Sequence, residues 1–136
     1  MTYLLDVNVL LALGHAAHVH HARVARWVAT LGADHVLATS SITELGFVRI
    51  APQARLSPSV AAACDLLAQL RGSARPPFVR LTDDLGADSL PPWADTPSAT
   101  TDGHLTSLAA GRGARLVTLD EGIPDSLLIP ADVAAP

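Results

Sequence analysis

Lysine is missing from this 136-residue chain, whose nine basic residues are all arginine. With alanine abundant, this reads as the mark of a GC-rich coding sequence and carries no mechanism. A single cysteine, Cys64, rules out an internal disulfide, and nothing points to secretion. Aromatic residues are 4% and charged residues 16% of the chain, but hydrophobic residues reach 49%. That balance excludes disorder as the main state and suffices for one core, so a single domain over 1–136 is expected. The formal net charge of −4 excludes a protein that grips nucleic acid by sheer basicity. Any RNA or DNA contact must rest on a local feature. No charged stretch precedes the first apolar run, and an Asp interrupts it, which argues against a signal peptide or a spanning helix. The expected location is cytoplasmic, with no membrane attachment. Internal repeats and low-complexity tracts are also lacking.

What is present starts at residue 3. Nine of the eleven residues in "YLLDVNVLLAL" (3–13) are apolar, and the other two are Asp6 and Asn8. An ionised carboxylate in such company must be neutralised, solvated at an element's end, or bound to a cation. Thr2 to Leu5 reads as a strand. His20 to Leu31 places Val24, Trp27, Val28 and Leu31 on one helical face. "HVLAT" (35–39) is a second strand, and a helix runs from Ser41 to about Ile50, stopping before Pro52. Ser57-Pro58 is predicted to cap the next helix, with Val60, Cys64 and Leu67 on its inward face. "FVRL" (78–81) is a strand and 82–99 a proline-bearing loop. A helix from Thr101 to about Arg112 turns Leu105, Leu108 and Ala109 inward, and strands follow at 115–119 and, more weakly, 127–129. This alternation predicts an α/β fold, a parallel β-sheet sandwiched by α-helices, with ligands at the carboxyl ends of its strands.

That edge collects acid. Asp6 closes the first strand and Asp120 closes "RLVTL", while Glu44 and Asp102 lie in the first turns of helices that begin at the same rim. Two unit charges about 4 Å apart repel by roughly 4 kcal/mol at an effective dielectric near 20. Such a cluster needs protons or a cation, and an all-oxygen set suits Mg²⁺ or Mn²⁺. A site of this kind activates water and steadies the leaving oxygen in phosphodiester hydrolysis. Asn8 and Thr118 are the expected supports for the carboxylates or a bound water. Arg49, one turn beyond Glu44, is either a substrate contact or half of a surface ion pair. Three of the acids also have a plainer reading: "SITE" (41–44) as a capping box, Asp102 as a helix-dipole partner, Asp120 as a turn former.

At these residues the chain resembles PIN-domain proteins, specifically the VapC-type ribonuclease toxins of bacterial toxin–antitoxin pairs. "LLDVNVLLAL" is similar to that family's first strand, "ATSSITELGFVRI" (38–50) to its second acidic motif, and "TTDGHLTSLAAGRGARLVTLDEGI" (100–123) to its closing unit. The resemblance implies Asp6, Glu44, Asp102 and Asp120 as metal ligands in a Mg²⁺- or Mn²⁺-dependent endoribonuclease. It also implies a homodimer, inhibition by a VapB-type antitoxin, and structured RNA or mRNA as substrate. Gly103 stands where the family often has Ala.

Three rivals are weaker. "HAAHVHH" (15–21) suggests zinc, but only one Cys exists, His20 and His21 are adjacent, and the stretch enters a helix from a loop. Surface or substrate-side roles suit His15, His18, His20 and His21 better. A phosphatase of the aspartyl-phosphate type would carry a second Asp where Asn8 stands, and a Lys. A non-catalytic RNA- or protein-binding module has no need of all four acids.

Overall fold

The computed structural model describes residues 1–73 and 75–131. Strand β1 (Thr2–Leu5) is the centre of a five-stranded parallel sheet of order β3-β2-β1-β4-β5. Its neighbours are β2 (Val36–Thr39) and β4 (Ala114–Thr118), and β3 (Phe78–Arg80) and β5 (Leu127–Leu128) form the edges. The central place follows from a strand apolar on both faces: Leu4 and Leu5 are both fully buried. Alternation sends Leu4, Ala38 and Leu116 to one side of the sheet and Leu5, Leu37 and Val117 to the other. The first side packs on Leu105, Leu108 and Ala109 of α5 (Thr100–Gly111). The second is covered by α1 (Val7–Gly14), α2 (His21–Ala29), α3 (Ser41–Gln53) and α4 (Val60–Gly72). This is the α/β sandwich expected from the strand–helix alternation.

Several boundaries differ from the sequence reading, each for a physical reason. Helix α1 has no counterpart there, because a helix that buries Val9, Leu10, Leu11 and Ala12 in succession shows no amphipathic period. Helix α3 is capped by Ser40, not Ser41. Ser40 Oγ accepts from the Thr43 N–H at 3.3 Å while Thr43 Oγ1 accepts from the Ser40 N–H at 2.8 Å, so the capping box is Ser40–Thr43 and Glu44 has no part in it. The helix also continues through Pro52 to Gln53, and Arg55 in the left-handed region (φ 59°) ends it.

Helix α4 is capped by Ser59, whose Oγ accepts from the Ala62 N–H at 3.0 Å. Ser57 is unavailable for that role because it is buried against His15. The inward face of α4 is therefore Ala63, Leu67 and Leu70, whereas Val60 and Cys64 are exposed. The 82–99 segment is a loop as expected, with two short 3₁₀ turns at Ala87–Ser89 and Pro97–Ala99.

Gly103 shows how closely this loop is applied to α5. A Cβ there would stand 2.4 Å from Ala94 Cβ and 3.2 Å from Pro91 Cδ. Ala94 Cβ is fixed to the backbone and cannot swing away. Gly103→Ala, which adds about 1 kcal/mol of helix propensity, is therefore expected to destabilise by about 1–3 kcal/mol through overpacking. Urea unfolding measures this directly, and a stabilised variant would show that the loop gives way.

Candidate functional site

At the carboxyl edge the backbone changes from strand to helix at Asp6, which caps α1. Its Oδ1 accepts from the Val7 N–H at 2.8 Å, and its Oδ2 accepts from Thr118 Oγ1 at 2.9 Å. The residue is 6% exposed. Burial raises its carboxyl above the ordinary 3.8; the Thr118 and Val7 hydrogen bonds pull it down, and the charges of Asp102 and Asp120 push it up again. The fully buried Thr118 also accepts from the Asp120 N–H at 3.0 Å, so one hydroxyl ties the first strand to the turn after β4. Asn8 lies in the first turn of α1, and its buried Oδ1 has no partner among the described residues.

Asp102 sits in the first turn of α5, its carboxyl raised by burial and by Asp120. Asp102 and the exposed Asp120 line an open groove of about 590 Å³ together with Trp93 and Ile123. Asp6, Asp102 and Asp120 thus form one electrostatic group. Glu44 is placed differently. Its Oε2 accepts from Thr39 Oγ1 at 2.6 Å, and its Oε1 faces Arg71 Nη1 at 3.6 Å and Arg80 Nη1 at 4.0 Å. Arg49 is exposed on the outer side of α3, along an apolar groove with Ile42, Leu45 and Val60.

Sequence reasoning missed Arg71 and Arg80, since their partner comes from distant segments. It also missed Asp83, which follows β3 and meets His104 Nε2 of α5 at 2.6 Å. Three histidines of 15–21 make hydrogen bonds through their rings, and His15 is buried, not at the surface as expected. His15 Nδ1 meets Leu11 O and Nε2 meets Ser57 Oγ, both at 2.9 Å, and its ring stacks on Phe47. His21 Nδ1 lies 2.7 Å from Ala12 O, and His18 Nδ1 accepts from the His20 N–H at 3.0 Å.

Among the described residues, no three His, Cys, Asp or Glu groups are drawn together as a full ligand set. Mg²⁺ asks for less, one or two carboxylates with its remaining positions filled by water. The residues fit that demand: Asp6 keeps a free lone pair on each oxygen, Asp102 and Asp120 add charge, and the orphaned Asn8 Oδ1 suits a bound water.

Among solved structures, the fold is that of VapC toxins. VapC20 of Mycobacterium tuberculosis, a sarcin-ricin loop cleaving toxin, superposes with a TM-score of 0.64 at 17% identity, over 94% of this chain and 99% of its own. The VapBC2 complex of Rickettsia felis, bound to a promoter DNA fragment, gives 0.63 at 17% identity over 94% and 97%. Sequence carries the relation further. Ribonuclease VapC38 of M. tuberculosis is 41% identical over 127 residues, 88% of this chain and 86% of its own length. Ribonuclease VapC39 of the same species is 41% identical over 135 residues, 93% and 94%. No sequence-family profile matches. The chain belongs to the VapC ribonuclease family, the PIN-domain toxins.

The raised carboxyls set the sign of a pH effect. A carboxyl whose folded pKa exceeds its unfolded one binds more protons folded, so stability falls as pH rises from about 3.8 through the folded value. In EDTA, Asp6→Asn is therefore expected to melt above wild type at pH 7, with the gap shrinking toward pH 4. Thermal melts across that range decide it, and a variant melting below wild type at pH 7 would contradict the assignment.

Proposed function

We propose that this chain is the endoribonuclease toxin of a toxin–antitoxin pair, one domain acting in the cytoplasm, and that it hydrolyses RNA with Mg²⁺ or Mn²⁺ held at the Asp6–Asp102–Asp120 rim. The observation that carries the reading is the buried Asp6 carboxylate, held through both oxygens and within electrostatic reach of two further acids. Family membership supplies the reaction class.

A divalent ion there supplies charge neutralisation and an acidified water. The chain's own groups do the rest. Val7 N–H and Thr118 Oγ1 fix the Asp6 carboxylate so that its outer lone pairs face the rim. The solvent-facing Asp120 takes the proton of the attacking water as its oxygen bonds to phosphorus and the displaced RNA oxygen leaves. Trp93, in the wall of the neighbouring groove, offers a face for a base to stack on. Glu44 shares its charge with Arg71 and Arg80, which makes it the weakest of the four acids as a ligand.

A VapB-type antitoxin presenting an Arg would find complementary charge at this rim. The homodimer is supported by the apolar groove on α3 and α4, where Leu45 is 66% and Val60 56% exposed. No described helix is long and apolar enough to cross a membrane.

Cleavage of host total RNA, with end mapping, tests the activity. Wild type is expected to give discrete cuts in Mg²⁺ or Mn²⁺ and none in EDTA, and Asp6→Ala to lose at least a hundredfold in rate, the scale of one electrostatic group at a reacting centre. Cuts that persist in Asp6→Ala would place the chemistry elsewhere, and binding without cuts would favour a non-catalytic module. Leu45→Glu is expected to sediment as a monomer while wild type sediments as a dimer.

A further inference from the structure

Glu44 lies beneath two guanidiniums. Arg71, in the last turn of α4, and Arg80, the last residue of β3, both face its Oε1, at 3.6 and 4.0 Å. The arginine side chains are 39% and 54% exposed and the glutamate only 16%, so the positive groups face solvent and the negative one supports them from below. Among the described residues, neither guanidinium donates a hydrogen bond or meets a second carboxylate.

The group carries a local charge of one positive unit in a chain whose net charge is −4. One arginine would have sufficed to neutralise Glu44, and exposed pairs at such distances contribute little to stability. The pairing leaves both planar forks of N–H donors free for a group that accepts from two sides, as a phosphate does. Their position suits that ligand. Register sets Leu4 level with Ala38 and Thr39 level with Arg80. Asp6 and Ser40, each one residue past its strand, and Arg80, the last of its own, therefore lie along one edge, with neighbouring strands about 4.8 Å apart and β2 between Asp6 and Arg80.

We propose that Arg71 and Arg80 bind the phosphodiester backbone of the RNA where it crosses the carboxyl edge beside Asp6, and that Glu44 is the positioning residue that holds them. This rests on the ribonuclease reading above. It also explains how a net acidic chain holds a polyanion: one end of the edge is acidic, the other basic.

The test separates binding from cutting. In an Asp6→Asn background with EDTA, anisotropy of a fluorescein-labelled RNA stem-loop is followed over a KCl series. Arg71→Gln/Arg80→Gln is expected to weaken binding about tenfold or more and to lower the slope of log affinity against log salt by about two. Arg115→Gln, whose guanidinium donates to Ser126 O elsewhere, controls for net charge and should change far less. Arg71→Lys/Arg80→Lys keeps the charge and is expected to bind with intermediate affinity, which separates a lost contact from a lost fold. Glu44→Gln, measured in the same metal-free Asp6→Asn background, should weaken RNA binding about threefold, because the two arginines lose the group that holds them.

An unchanged salt slope in the double variant, an equal loss in Arg115→Gln, no RNA binding by Asp6→Asn, or unchanged RNA binding in Glu44→Gln would each overturn the proposal. Wild-type cleavage that ignores both arginines would remove the clamp and leave the nuclease standing. Arginine-dependent binding with no cleavage would do the reverse.

Discussion

The carboxylate of Asp6 is held by one neighbour in the chain and by another 112 residues away, Val7 on one oxygen and Thr118 on the other. Everything at the carboxyl edge depends on that pair of bonds. Through Val7 the carboxylate sets where β1 ends and α1 begins. Through Thr118 it fixes β4 against β1 and, by the same hydroxyl, the turn that carries Asp120. Burial disfavours the charge that this arrangement requires, and Asp102 and Asp120 disfavour it further. The apolar packing of β1 and α1 offsets that cost, as functional sites commonly demand of the core around them.

The two faces of the sheet serve the edge differently. Four helices cover the face holding Leu5, Leu37 and Val117, and their packing sets α1 and α3 at the rim. The close approach of α3 to the start of α1 is marked by Gly46, where a Cβ would stand 2.7 Å from a Val7 methyl. The opposite face has α5 alone, helped by the loop that follows β3. Asp83 and His104 fasten that loop to α5 within two residues of Asp102. Desolvation pushes the Asp83 carboxyl up, but hydrogen bonds from His104 and Leu85 and the charges of His104 and Arg112 outweigh it and leave it below its ordinary value. The acid of α5 is thus placed by a polar latch and by the tight seat around Gly103.

Charge along the edge is sorted by strand. The ends of β1, β4 and α5 bring Asp6, Asp120 and Asp102; the ends of β3 and α4 bring Arg80 and Arg71. Groups of opposite sign therefore lie along one edge, separated by β2. Net charge reports neither half of this arrangement, because it sums over surfaces that a ligand never meets together.

The strand positions, and the strand–helix order apart from α1, were legible because they are written in local period and in turn residues; outside α1 the errors in element placement fell at boundaries such as Pro52 and Ser57. The placement of acids at strand ends and first helical turns follows from the same order. Helix α1 was not legible, since an unbroken apolar run has no face, and neither was the inward side of α4, which tertiary packing turned to Ala63 and Leu67. Sequence alone determined a parallel α/β sandwich with acids along one edge. Tertiary structure alone decided which acids feel one another and which charge is taken up by arginine. Those pairings join segments far apart in the chain, and no local pattern encodes a partner that only the folded sheet brings within reach.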